Sequence, residues 1–172
     1  ILNCFCYTSS FSIYANLGGA ISTTNIDLSK KAIEWSKKNF LLNEVDVNAH
    51  EFIVGDVWDW LRRFQKKGRT FDVIIIDPPS FSTSKTTVFT VEKDIPKLIG
   101  AGLNILREDG ILAFSTNIAK INFSKFLQLL PRVKDFTQKT YKLIDVSSQG
   151  LDFPTDGVHV IEPYLKFIML SC

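Results

Sequence analysis

The sequence predicts an α/β domain: a doubly wound, mainly parallel sheet of seven strands that ends in an antiparallel hairpin. Three observations carry this expectation. Short apolar runs and longer, helically periodic segments alternate along most of the chain. The run Val73-Ile74-Ile75-Ile76 has no polar face, as a strand covered by helices on both sides requires. Two further strand-like runs then follow one another with no helical pattern between them, so they pair as a hairpin.

Taken in order, residues 1–6 form the first strand, and residues 11–17 a short helix stopped by Gly18-Gly19. The β-branched, threonine-rich run 21–27 is the second strand. Ser29 is a candidate N-cap for a helix in which Ala32, Ile33, Trp35, Phe40 and Leu41 recur at near-helical spacing. A third strand covers 51–54. Helix 56–67 sets Val57, Leu61 and Phe64 on one face and stops at Gly68. Strand 71–76 ends at Asp77-Pro78-Pro79, which cannot continue a central strand. A polar loop spans 80–90. The helix at 95–106 tolerates Pro96 only in its first turn. Asp109-Gly110 reads as a turn before a strand at 111–115, and a helix at 123–130 kinks or ends at Pro131. Strands 141–146 and 164–170 make the closing hairpin. The order is Rossmann-like.

The 172 residues, 45% of them hydrophobic, suffice for one domain over 1–172 and leave little room for a second. This composition excludes a disordered chain. The formal charge of +2 is too small to argue for a nucleic-acid partner by itself. Cys4, Cys6 and Cys172 have no framework spacing, which points to a reducing, cytoplasmic compartment. No apolar run approaches the roughly 20 residues of a membrane span, so no membrane partner is expected. His50 and His159 stand alone, and no cluster has metal-ligand spacing, so no metal is expected. The only methionine is Met169, and Ile1 opens on an apolar run, so the chain reads as a piece of a longer protein. Trp35, Trp58 and Trp60 are expected to cover the sheet. Arg62, Arg63, Lys66, Lys67 and Arg69 either touch RNA phosphates or form a solvated helix face.

In an open parallel sheet, ligands sit beyond the carboxyl ends of the strands, near the point where strand order reverses. The residues that follow the strands include Asp27-Leu28, Gly55-Asp56, Asp77-Pro78-Pro79-Ser80-Phe81 and Ser115-Thr116-Asn117. Asp27 stands twenty residues after Tyr7, where a carboxylate accepts from both hydroxyls of a ribose; the alternative is that it caps the helix opening near Ser29. Asp56 accepts from an adenine amino group, or caps its own helix, or does both. The first loop, Cys6-Tyr7-Thr8-Ser9-Ser10, has no glycine and so no G-x-G-x-x-G cradle for a pyrophosphate. That lowers dinucleotides and ATP more than a phosphate-free nucleoside cofactor. At Asp77-Pro78-Pro79-Ser80-Phe81, two prolines remove two N–H donors and leave carbonyls to accept from a base amino group, with Phe81 as a stacking face. The alternative is a rigid strand exit with Phe81 in the core.

The series Leu2-Asn3-Cys4-Phe5-Cys6-Tyr7-Thr8, Asn25-Ile26-Asp27-Leu28-Ser29, Gly55-Asp56-Val57 and Asp77-Pro78-Pro79-Ser80-Phe81 resembles the class I S-adenosylmethionine-dependent methyltransferases. It looks most like the branch that modifies bacterial 23S ribosomal RNA, related to the 5-methylcytosine enzymes. The segments Leu17-Gly18-Gly19-Ala20, Ser22-Thr23-Thr24, Glu34-Trp35, Phe81-Ser82-Thr83-Ser84-Lys85 and Thr137-Gln138-Lys139-Thr140 are similar to its guanine-N7 module. The resemblance extends from Ile1 to about Thr140. It implies S-adenosyl-L-methionine as cofactor and ribosomal RNA as substrate. It implies that Cys6, Tyr7, Thr8, Ser9 and Ser10 wrap the methionine part, that Asp27 holds the ribose, and that Leu28 packs on the adenine. Asp56 and Val57 would flank the adenine ring. Asp77, Pro78, Pro79 and Phe81 would line the site where the target base meets the methyl group, with Asp77 also against the cofactor. Ser9 departs from the pattern, since most relatives carry glycine there. The upstream RNA-binding portion of the family is absent.

Methylating carbon 5 of a pyrimidine needs a cysteine thiolate to add to the ring first. The positions after the fourth and fifth strands hold Ser80 and Ser115-Thr116-Asn117 instead. A ring nitrogen such as guanine N7 has its own lone pair and needs only in-line placement. The expected activity is therefore direct methyl transfer to a guanine ring nitrogen of large-subunit ribosomal RNA. An exocyclic-amine methyltransferase acting on RNA or DNA, and a non-catalytic RNA-binding remnant, stand as alternatives.

Overall fold

The computed structural model describes residues 1–79, 83–84, 87–88, 91–150 and 164–172. The chain runs β1 (Leu2–Cys4), α1 (Ser10–Leu17), β2 (Thr24–Asp27), α2 (Lys30–Leu42), β3 (Glu51–Val54), α3 (Val57–Lys66) and β4 (Phe71–Ile76). The short strands β5 (Thr83–Ser84) and β6 (Thr87–Val88) follow, then α4 (Val91–Leu103), β7 (Leu106–Thr116), α5 (Phe123–Leu127), β8 (Lys142–Ser147) and β9 (Lys166–Ser171). Seven strands make one sheet in the order β3-β2-β1-β4-β7-β9-β8, and β5 and β6 pair separately. Pairing is parallel from β3 across to β7, while β9 runs antiparallel to both β7 and β8. This is the expected doubly wound sheet with its closing antiparallel hairpin. Strand order reverses between β1 and β4, so the ligand crevice of such a sheet lies above these two strands.

Alternate strand residues face opposite ways. Leu2, Cys4, Ile26, Ile74, Ile76 and Phe114 turn to one face and are fully buried with Leu61 of α3 and Ile95, Leu98 and Ile99 of α4. That face holds the main core. Gly102 lets α4 approach closely, because a Cβ there would stand 2.6 Å from a methyl of Leu112. The other face is thinner. Ile13, Phe40 and Val45 form a small cluster, and α2 packs on β2 and β3. Val73 and Ile75 on that face are only half-buried, so the expected double cover of β4 is complete on one side alone.

Two local expectations are corrected. Helix α4 begins at Val91, so Pro96 sits inside it rather than in its first turn. Proline cannot donate to the carbonyl four residues earlier, which is that of Glu92. The Arg132 guanidinium donates to that carbonyl instead, at 2.8 Å, and so replaces the missing helical bond. Asp109-Gly110 is not a chain reversal but a bulge inside β7. The β4–β7 register jumps from Phe71↔Leu106 to Val73↔Ile111, and Asp109 takes a left-handed φ of 58°.

Polar side chains fill the space between β1, β2 and α1. Asn3 Nδ2 donates to the Ser12 hydroxyl at 2.9 Å, and that hydroxyl donates to Asn25 Oδ1 at 2.6 Å. Asn25 Nδ2 donates to Thr23 Oγ1 and to the Glu51 carbonyl. These groups are buried, and their mutual bonds tie the start of α1 to both strands. Ser12→Ala leaves two buried asparagines short of a partner, so it is expected to cost about 2–3 kcal/mol of stability by urea unfolding. The network ends at His50, whose Nδ1 accepts from the Thr23 N–H at 3.0 Å. Burial holds this imidazole below its ordinary pKa, against a weaker opposing pull from Asp46. The folded state therefore keeps it neutral where the unfolded chain takes a proton. That stability is present above the ordinary histidine pKa and is lost as pH falls. Urea midpoints are expected to drop between about pH 7 and pH 5, and less so in His50→Asn.

Candidate functional site

The loop after β1 turns without glycine. Phe5, Tyr7 and Ser9 alternate in the left-handed region, with φ of 57°, 48° and 59°. Each such residue costs about 1 kcal/mol or more, so the surroundings must impose the conformation. They do so through backbone groups. Cys6 N–H donates to the Ile26 carbonyl at 3.0 Å, and Ser9 N–H to the Cys6 carbonyl at 2.7 Å. Tyr7 N–H donates to Asp27 Oδ2 at 2.9 Å, and Asn39 Nδ2 to the Thr8 carbonyl at 3.0 Å. Ser9 is fully buried, and its hydroxyl pairs with that of Ser36 on α2. The serine at a glycine position thus has its own partner. Tyr7 is 71% exposed, and Ser10 opens α1.

Asp27 closes β2 beside this loop. Its Oδ1 accepts from the Ser29 N–H at 2.8 Å and its Oδ2 from Tyr7. Each oxygen keeps a lone pair for one more donor. Capping of α2 falls to Ser29, whose hydroxyl accepts from the Ala32 N–H at 3.2 Å. Leu28 is exposed next to it. Asp56 caps α3 through the Asp59 N–H at 3.1 Å. Val57 is 2% exposed and belongs to the main core, which leaves only its backbone for a ligand. Gly55 is required by packing: a Cβ there would meet Trp60 Nε1 at 2.4 Å.

Asp77 follows β4 and is exposed, while Pro78 is buried and Pro79 exposed. The Ser115 hydroxyl, from the end of β7, donates to Asp77 Oδ1 at 2.6 Å. Ser80 and Phe81 lie outside the described residues, as does His159. Behind Ser115, the 3%-exposed Lys166 donates to the carbonyls of Ile118 at 2.8 Å and Tyr164 at 3.2 Å. Asn117 Nδ2 donates to the Tyr164 hydroxyl at 3.0 Å. Lys166 and Tyr164 gave no signal in the sequence, since a lysine that opens a late strand reads as solvated.

The loop after β1, Asp27 and Asp77 thus lie at the carboxyl ends of β1, β2 and β4, which are neighbours in the sheet. Asp56 stands at the next strand along. Burial pushes the Cys6 thiol up to about 12, and Cys4, fully buried, is raised further. Both stay protonated at neutral pH, so neither supplies a thiolate. Among the described residues, no group of three or more His, Cys, Asp or Glu side chains can hold a metal ion. No described helix is long and apolar enough to cross a membrane. Arg69 pairs with Glu51 at 2.8 Å, at the amino ends of β2 and β3 and so on the rim opposite the crevice.

A doubly wound sheet whose strand order reverses beside an acidic strand end belongs to the class of domains that bind nucleoside cofactors in that crevice. Residues 1–130 match the S-adenosylmethionine-dependent methyltransferase family, and the chain belongs to it. The chain is 37% identical over 162 residues to ribosomal RNA large subunit methyltransferase K of Neisseria meningitidis serogroup B, covering 92% of this chain and 43% of that protein. It is 41% identical over 141 residues to ribosomal RNA large subunit methyltransferase K/L of Legionella pneumophila, covering 81% of this chain and 19% of that protein. The crystal structure of SMU.776 complexed with SAH superposes with a TM-score of 0.88 at 38% identity, over 99% of this chain and 44% of that one. The chain spans less than half the length of these relatives.

Proposed function

We propose that this chain is the catalytic domain of an enzyme that methylates a base of large-subunit ribosomal RNA, with S-adenosyl-L-methionine as donor and guanine N7 as acceptor. The observation that supports this reading is that β2, which ends at Asp27, and β4, which ends just before Asp77, flank β1 where strand order reverses. The names of the relatives support the RNA substrate.

The residues fit the cofactor. Asp27 accepts from the ribose hydroxyls with the lone pairs its backbone partners leave over. Leu28 packs on the adenine, and Asp56 accepts from its amino group. Cys6, Tyr7, Thr8, Ser9 and Ser10 border the methionine part. When bound, the cofactor supplies a methyl group activated by a sulfonium centre. This chain's part in the transfer is placement. Asp77, held by Ser115, and the Pro78 carbonyl accept from the amino edge of the base, and so fix N7 in line with the methyl carbon at about 3 Å. No proton has to be removed from N7, and no thiolate adduct is formed.

The test supplies donor labelled in its methyl group, with unmodified large-subunit RNA, and identifies the labelled nucleoside by mass spectrometry. Labelled 7-methylguanosine is expected. Label on an exocyclic amine would replace this reading by the base-amino one. Cofactor binding without any label transfer would leave the non-catalytic reading.

A further inference from the structure

Helix α2 buries Ala32, Ile33, Ser36 and Phe40 and turns Lys31, Trp35 and Lys38 outward along one face. Trp35 is 60% exposed, against the expectation that it covers the sheet. The physical reason is its register: Ala32 and Ser36 take the positions that face β2 and the loop after β1, and Trp35 falls between them. An indole left in water on a well-packed helix serves no core. Across from it stands Tyr7, held outward by its left-handed backbone. Between the two lies a pocket of about 230 Å³ whose lining includes Thr8, Asp27, Ser29, Lys31 and Ala32. It adjoins the proposed cofactor site, with which it shares Tyr7, Thr8 and Asp27; Leu28 and Asp56, the groups assigned to the adenine, do not line it.

The pocket has room for one flat ring, with aromatic side chains to stack on it. Apart from Asp27 in its lining, its surroundings are cationic. Lys30, Lys31, Lys37 and Lys38 are exposed on α2, and the helix's one acid, Glu34, pairs with Lys30. Exposed aromatics amid lysines are the means by which single-stranded nucleic acid is held without reading its sequence. The position suits that use. Asp27 and Asp77 end strands separated only by β1, so the Asp27 wall of the pocket lies roughly 10 Å, two strand spacings, from the base corner. A stretched strand covers that distance in one or two nucleotides.

We propose that the pocket between Tyr7 and Trp35 is a subsite for a nucleobase of single-stranded RNA adjoining the target nucleotide, with Lys31 and Lys38 at the phosphates. The inference rests on the RNA reading above and names where the flanking strand is gripped. The test measures anisotropy of short fluorescein-labelled single-stranded RNA on the full chain saturated with SAH, alongside calorimetry of SAH itself. Trp35→Ala is expected to weaken RNA binding about ten-fold, and Trp35→Phe much less. Lys31→Ala is expected to lower the salt slope by about one. SAH affinity stays unchanged in all three. An abasic nucleotide next to the target should weaken the wild-type complex but not the Trp35→Ala complex. A Trp35→Ala chain that binds and methylates RNA like wild type would overturn this inference alone. A fall in SAH affinity would assign the pocket to the cofactor instead. A wild-type chain that binds SAH but no RNA would overturn the RNA reading and this inference with it.

Discussion

Asp27→Ala is expected to weaken SAH binding ten- to a hundred-fold or more by calorimetry. The carboxylate accepts from Tyr7 and Ser29 N–H groups, and its remaining lone pairs face two ribose hydroxyls in the proposed complex. Hydrogen bonds to a charged group are each worth about 1.5–3 kcal/mol, and each 1.4 kcal/mol is a factor of ten. Loss of Asp27 also frees the Tyr7 N–H, one of the bonds that hold the left-handed loop in place. Asp27→Asn removes the charge but keeps one of the two backbone bonds. Its oxygen still accepts from one backbone N–H, but its amide nitrogen meets the other as a second donor. It is expected to lie near the alanine variant in affinity. Unchanged affinity in both variants would remove Asp27 from the cofactor site.

Asp77→Ala is expected to lower methyl transfer about a hundred-fold while costing SAH affinity no more than a few-fold. The argument is geometric. Asp77 is exposed at the corner, is anchored by Ser115, and sits beside a buried proline that cannot swing. A base left loose by even 1 Å can lose about a hundred-fold in rate. Ser115→Ala leaves the carboxylate in place but unanchored, so about a ten-fold loss in kcat is expected, with KM for the cofactor unchanged. Equal loss of SAH affinity and rate in Asp77→Ala would make it a cofactor ligand rather than a base-positioning residue.

Much of the scaffold was legible in the sequence because it follows from burial. The run Val73-Ile74-Ile75-Ile76 forms β4, and Ser29 and Asp56 cap α2 and α3. Glu51–Val54 and Phe71–Ile76 keep the expected bounds. The misses share a cause: a local signal was outweighed by a distant partner. Pro96 marks a helix start by itself, but Arg132, far along the chain, supplies what the proline removes. Asp109-Gly110 has turn chemistry, but β9 and β4 hold both sides of β7 and make it a bulge. Ser9 departs from the glycine that the resemblance implies, and only the fold brings Ser36 to its hydroxyl. The acidic residues of the crevice were visible because strand ends are predictable. Lys166 and the exposed side of Trp35 were not, since they depend on which face of an element meets its neighbours.

The most direct test of the central claim is a crystal structure of this chain grown with SAH. The expected result has both Asp27 oxygens within hydrogen-bond distance of the ribose hydroxyls, and the sulfur facing the Asp77-Pro78 corner. SAH bound with its sugar away from Asp27, or lodged between Tyr7 and Trp35, would contradict it.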